Sequence, residues 1–348
     1  MGIFNTFKKM LTIDINSSKE FTTDGTCDTY YNFCGDTNYR VWDKRYKNSN
    51  TDFSNVVFLD WISYKKIFSN NFDDYSKFIS YDLDIKNPVK KYKDFIDKGY
   101  LKKASLEVIF EAYKVIDLKN ILRENNLKVS GKKSELISRI ISSIEVEKLK
   151  GYIHDDFYEI TTKGTEYIKK YEYYIKLYHY RNFCIGPKEF DRCRNSFDCN
   201  SPSFYDVMLK ILDARITFFK NNSSYGLLRN SYHNKSILLK DLGLNKESFK
   251  YLLHVAYIDL SGICNDNHIY SYKDMIFPPG IAQQLYNNKQ YFDLNLVDEV
   301  FAIKLPFRYF EKDTFIDIIN DVFNGEEVNF NKYKNYKNTK SKFKAMNN

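Results

Sequence analysis

Apolar positions are sparse and aperiodic early in the chain. Residues 13–52 are rich in Asp, Asn, Thr and Ser, which predicts a flexible polar arm over 1–52. Order is predicted from Asn55-Val56-Val57-Phe58-Leu59-Asp60-Trp61-Ile62, an apolar helix running on to Phe68, with a short helical stretch near 75–79. Asn87 then offers a cap, Pro88 suits a first helical position, and 89–98 follows with Gly99 as its stop. Gly99-Tyr100-Leu101 reads as entry into a strand. From Tyr113 to Ile144 the period is helical twice over. Val115, Leu118 and Leu122 share one face, and Leu136, Ile137, Ile140, Ile141 and Ile144 share another. Phe157-Tyr158-Glu159-Ile160-Thr161 reads as a strand, and a helix carrying a Tyr and Ile stripe runs from 165 to about 183. A loop is predicted over 184–203. Helices follow over 205–219, 227–242 and 246–260, with Gly243 as a stop and Asn245 as a cap. Pro278-Pro279-Gly280 leads a helix to Tyr286, and a last helix spans 313–323.

The turn of the 113–144 hairpin, Asn126-Leu127-Lys128-Val129-Ser130-Gly131-Lys132-Lys133, carries the chemistry. Asn126 suits a left-handed residue ending the first helix, Gly131 permits a sharp turn, and Ser130 and Ser134 are candidate caps. Lys119, Arg123, Lys128, Lys132, Lys133 and Arg139 form its polar surface. Two lysines at a helix start oppose the helix dipole, so an external anion such as a backbone phosphate is expected between them and the free amides. Without such an anion the same lysines are a solvated face.

Charge is segregated in the same direction. The net charge of +8 is concentrated in residues 86–150, which carry 16 basic and 9 acidic residues, and in 331–348, with 6 lysines and no acid. The rest of the chain is net −5. This is the footprint of a polyanion-binding protein with an acidic body. The tail 329–348 interleaves lysines with Tyr333, Tyr336 and Phe343. It reads either as a grip on nucleic acid or as a solubilising end.

Leu118-Lys119, Leu122, Leu127, Val129-Ser130-Gly131-Lys132-Lys133 and Leu136-Ile137 followed by Arg139-Ile140 resemble the SAP motif, a small helical DNA-binding module. Asn126 stands where that family usually has Gly. The resemblance implies sequence-tolerant, often AT-leaning binding of double-stranded DNA without catalysis. It points to Lys119, Arg123, Lys128, Ser130, Gly131, Lys132, Lys133 and Arg139 as DNA-binding residues. The elements on either side, with Thr162-Lys163-Gly164-Thr165 opening the later helix, resemble a winged helix over 53–104 and 151–183 whose wing accepts the SAP hairpin, 105–150. The helix 87–98 would then offer Lys90, Lys91 and Lys93 to DNA, or leave them solvated in a protein-binding winged helix. The expected class is mainly α with a small β wing, followed by a helical, solenoid-like interaction domain over 200–328 that meets a partner or a second copy. The order of elements is similar to uncharacterised SAP-domain proteins of low-GC Gram-positive bacteria and their mobile elements.

The remaining motifs narrow the expectation. The six cysteines, with no secretory signal or long apolar segment, predict free thiols in a cytoplasmic setting. Met1-Gly2 opens a loose myristoylation pattern, but no membrane role is expected. Cys184, Cys193, Cys199 and His179 do not have the spacing of a compact zinc site, so neither metal nor cofactor is expected. No histidine sits in a catalytic motif and no phosphate-cradling glycine loop occurs. The reading is therefore a non-enzymatic DNA-binding protein. An interaction scaffold with basic surfaces is the alternative, and a nuclease assembled only by tertiary folding is a more distant one.

Overall fold

The computed structural model describes residues 51–65, 78–153, 157–198, 202–264 and 267–333. Among these residues it is mainly helical, with 16 α-helices and one two-stranded sheet. They fall into two compact units that part between Asp191 and Arg192. The predicted arm over 1–50, Cys27, Cys34, Cys199, His154 and the tail beyond Tyr333 lie outside the described residues.

In the first unit, α1 (Thr51–Lys65) begins before its predicted start, with Asp52 in its first turn. Phe53, Val56, Phe58 and Leu59 are fully buried along it. The short α2 (Phe78–Tyr81) precedes α3 (Pro88–Asp97). The predicted cap is present: Asn87 Oδ1 accepts from the Lys90 N–H at 2.9 Å, and Pro88 stands at the first helical position. Tyr92 and Phe95 turn inward. Gly99, at φ +70°, reverses the chain into β1 (Leu101–Lys103).

β1 pairs antiparallel with β2 (Tyr158–Ile160), Leu101 opposite Ile160, Lys102 opposite Glu159 and Lys103 opposite Tyr158. The ladder is lengthened by Thr161 N–H to Tyr100 O (3.0 Å) and Ala104 N–H to Phe157 O (2.9 Å). The two stretches predicted as strands therefore meet, one residue or so out of the predicted bounds. The described elements between them are four helices: α4 (Leu106–Ala112), α5 (Val115–Glu124), α6 (Lys133–Ser143) and α7 (Val146–Lys150). This insert has its own core of Phe110, Leu118, Ile121, Leu122, Leu136, Ile137, Ile140, Ile144 and Leu149. Phe110 comes from α4 and Leu149 from α7, so both short flanking helices, which the periodicity did not predict, belong to the module. Its far end is tied back to its interior: Tyr113 Oη donates to Tyr152 O (2.6 Å), and Asn125 Nδ2 donates to Tyr152 Oη (3.0 Å).

The helix predicted over 165–183 is two helices. α8 (Thr162–Lys170) and α9 (Glu172–His179) break at Tyr171, whose ψ of 21° leaves the helical range. The break lets Tyr174 and Leu177 turn inward, and α9 packs on α1 with Tyr174 edge-on to Phe53. The predicted loop 184–203 also holds a helix, α10 (Pro187–Asn195), opened by Pro187 and carrying the buried Phe190 and Cys193.

The second unit is built on α11 (Phe204–Asn221), α12 (Tyr225–Asp241) and α13 (Asn245–Ser261), close to their predicted ranges. Connections of three residues join them, and α12 packs on both neighbours. Gly243 sits at φ +77° in the second connection, as a stop requires, but Asn245 is the first helical residue and Leu244 takes the cap position. α13 is buried almost continuously from Leu252 to Ile258 and packs on α14 (Pro279–Asn287) and α15 (Leu294–Phe301). α15 falls where no helix was predicted. α16 (Lys312–Phe323) packs on α14 and α15.

Candidate nucleic-acid interface

The α5–α6 connection is an extended strand-like run whose side chains alternate. α5 ends at Asn125, and Asn126 takes the left-handed conformation (φ 54°) that its short polar side chain tolerates. Leu127 N–H returns to Leu122 O at 2.8 Å. Leu127 and Val129 are then half-buried against the module core, while Lys128 and Ser130 are exposed between them. Period two thus fixes which residues face solvent. Gly131 follows at φ 132°, where a larger residue is strained, and a Cβ there would sit 2.4 Å from Glu135 Oε2 and push that carboxylate from its place. Lys132 caps α6 and is exposed.

The cap corrects two expectations. Neither Ser130 nor Ser134 starts α6; Lys132 holds that position in extended conformation, and its N–H donates to Glu135 Oε2 at 3.2 Å. A carboxylate of the protein, that of the Glu three residues after the cap, therefore already faces this helix start beside the exposed lysine. The repeat is visible at α5, where Lys114 N–H donates to Asp117 Oδ2 at 3.2 Å.

The predicted cations divide into two groups. Arg139 NH1 donates to Lys128 O (2.5 Å) and Ser130 O (3.1 Å), so its guanidinium clasps the turn from α6. Lys133 Nζ donates to Glu111 O (2.5 Å) and lies 3.5 Å from the Glu111 carboxylate, tying α6 to the end of α4. Arg123 donates to Asn120 Oδ1 at 2.7 Å on its own helix. Lys119, Lys128 and Lys132 have no ion pair or side-chain hydrogen bond among the described residues. Lys119 and Arg123, four apart, share the outer side of α5.

Lys90 and Lys93 are exposed on α3, and half-buried Lys91 lies 4.0 Å from Asp94. These three sit on a different core from the turn: Tyr92 packs edge-on to Tyr158 and Phe95 packs on Phe58. On the outer face of α6, Ser134, Ser138 and Ser142 repeat every four residues and, with Glu135 and Arg139, line an open depression. Sequence reasoning missed Glu111, Glu135 and Tyr152. Glu135 had a signal, a carboxylate three residues after the helix start, whereas Glu111 and Tyr152 reach the turn only through tertiary packing.

Other chemistry expected or weighed falls as follows. His179 and His233 are held below the usual imidazole range, by burial first and then by Arg181 and Arg229 respectively. Burial pushes His254 down to about 4, and its Nδ1 faces Lys250 O at 2.8 Å. Cys193 is buried against Val207 O. Among the described residues no group of three or more His, Cys, Asp or Glu is placed to hold a metal, and no helix is long and apolar enough to cross a membrane.

Residues 109–145 match the SAP domain. The match takes in most of α4, all of α5 and α6 and the turn between them. The SAP domain is generally a DNA-binding motif, which fits the cluster of exposed lysines on this turn. The SAP fold seen here runs past the matched residues on both sides, because Leu106 and Leu149 pack on the same core. No curated protein and no solved structure matches the chain.

Proposed function

We propose that this is a non-enzymatic DNA-binding protein that holds the duplex backbone, with little sequence dependence and an AT leaning, through the SAP turn. The observation that supports it is the alternation over Leu127–Lys132, which half-buries the apolar residues and leaves Lys128 and Lys132 solvent-facing and unpaired. In this reading Lys119, Lys128 and Lys132 meet phosphates. Arg139, Lys133 and Gly131 shape the turn, with Ser130 and Arg123 at its edge. Lys90, Lys91 and Lys93 extend the contact along α3, as on a winged helix. Burial of Cys193 as a small core side chain accords with a reducing, cytoplasmic setting. The order of elements supports a kinship with SAP-domain proteins of low-GC Gram-positive bacteria and their mobile elements.

The test is fluorescence anisotropy of labelled duplex DNA across salt concentrations. The three lysine contacts of the SAP module contribute about −2.7 to the log–log salt slope, and Lys128→Glu/Lys132→Glu reduces the slope's magnitude by about 1.8. The fold is expected to survive, since both side chains are exposed. A wild-type protein that fails to bind at about 50 mM salt, where non-specific affinity is already strong, sinks the proposal.

A further inference from the structure

The stretch from Asn126 to Glu135, which carries three lysines, holds a single carboxylate, that of Glu135. Glu135 is exposed, and its Oε2 accepts from the Lys132 N–H at 3.2 Å. The same oxygen would lie 2.4 Å from a Cβ at Gly131, so the carboxylate rests on the bare face of that glycine. Its charge is not cancelled by a neighbour. Arg139, four residues on along α6, is spaced to pair with it, but its guanidinium donates to Lys128 O and Ser130 O instead. Among the described residues Glu135 has no ion pair. Glu111, by contrast, faces the Lys133 ammonium at 3.5 Å. An uncompensated negative charge is thus fixed on the backbone of Lys132, one of the lysines that meet phosphate.

We infer that Glu135 limits how tightly the turn holds DNA: it bars phosphate from the start of α6 and leaves the duplex to the lysine side chains. The inference rests on the reading that this turn meets DNA phosphates. The Lys132 N–H, which a phosphate oxygen would otherwise share with the positive end of the helix dipole, is taken by the carboxylate. A phosphate approaching along the lysines meets a like charge at close range. Contacts through ammonium groups alone lack the fixed direction of backbone amides, so the hold on the duplex is loose, salt-sensitive and quickly released. The charge is separable from the cap. Gln fills the same accepting role at the third helical position, so Glu135→Gln keeps the hydrogen bond and removes only the charge.

The test is anisotropy of labelled duplex DNA with the full chain at about 50 mM salt, comparing wild type, Glu135→Gln and Asp117→Asn. Asp117 is the control. It caps α5 as Glu135 caps α6, accepting from the Lys114 N–H at 3.2 Å, but stands about 12 Å along the helix from the turn. A unit charge about 7 Å from a phosphate alters its affinity by about threefold at the dielectric constant of water, and by more in a lower one. Glu135→Gln is therefore expected to tighten binding by at least about threefold, through slower dissociation, with the gain shrinking as salt rises. Asp117→Asn is expected to stay within about twofold of wild type, since its charge lies more than a screening length of about 10 Å away at 0.1 M salt. Equal or weaker binding by Glu135→Gln overturns the inference and leaves the carboxylate as a cap only. An equal gain in Asp117→Asn overturns it as well, because net charge then accounts for the effect. Wild type that binds no duplex refutes the underlying reading instead, so the two failures are told apart.

Discussion

Gly164→Ala tests how the strand pair is joined to α8. In an exposed helix this change stabilises by about 0.5–1 kcal/mol, because alanine loses less backbone freedom on folding. Here the outcome is expected to reverse. Thr161 Oγ1 accepts from Gly164 N–H (3.1 Å) and donates to Gly99 O (2.7 Å), drawing the first turn of α8 onto β1. A Cβ at position 164 would lie 2.4 Å from Tyr100 O, 3.2 Å from Tyr100 C and 2.8 Å from Ile160 Cγ1. The nearest obstacle is backbone, which cannot swing aside as a side chain can. Overpacking of this kind costs about 1–3 kcal/mol, so after the propensity gain a net loss of about 1–2 kcal/mol is expected. Hydrogen exchange read by mass spectrometry localises it: amides of β1, β2 and α8 exchange faster in the variant, while those of α5 and α6 keep their protection, because the SAP core is a separate cluster. A variant as stable as wild type, or equal loss of protection in α5 and α6, refutes the reasoning.

Leu136→Ala, at a fully buried position of the SAP core, is expected to cost about 2–5 kcal/mol, seen as an early urea transition of the module, and to weaken DNA binding with it. Arg139→Gln removes the clasp on Lys128 O and Ser130 O, so duplex affinity is expected to fall with the salt slope unchanged, whereas Lys132→Gln lowers the slope by about 0.9; anisotropy titrations separate the two. His254 is neutral in the folded chain down to about 4, below its ordinary 6.5. The unfolded chain therefore binds the extra proton first, and stability of the second unit is lost as pH falls from about 6.5 to 4, by up to about 3 kcal/mol. His254→Phe is expected to flatten that limb of the urea-midpoint profile. Burial raises Asp60 to about 6, which has the opposite sign: stability of the first unit falls as pH rises through 6, and Asp60→Asn is expected to raise its melting temperature at pH 8.

The features legible in the sequence are those encoded within one turn or one period. The α3 cap at Asn87-Pro88, the left-handed Asn126, the Gly131 turn and the apolar stripes of α5 and α6 are each local, and each is found in place except that Val115 is exposed and Ile121 joins the α5 stripe instead. Four short helices were missed, α4, α7, α10 and α15, because two or three apolar residues do not establish a period and their stability comes from packing. The break at Tyr171 was hidden for a related reason: an unbroken run of tyrosines carries no stop signal, and only the seat for Tyr174 against Phe53 fixes where the helix bends. At the candidate site, composition located the basic residues but not their partners. Arg139 and Lys133 looked equivalent to Lys128 and Lys132 until the carbonyls of Lys128, Ser130 and Glu111 were found within reach of the first pair.

The ladder from Tyr100 to Ala104 and Phe157 to Thr161 closes a loop that contains the whole SAP module. As random coil, a segment of that length would cost the pairing about 3 kcal/mol more than a two-residue turn, since each doubling of loop length adds about 0.6 kcal/mol. Once folded, with Phe110 and Leu149 in one core and Tyr113 bonded to Tyr152, the module holds residues 110 and 152 close together and part of that penalty is gone. The folded insert therefore favours the pairing of its host. The same linkage runs in reverse at equilibrium. Whatever ligand stabilises the SAP fold also tightens the β1–β2 pairing, so occupancy of the turn is reported as rigidity in a ladder outside the turn.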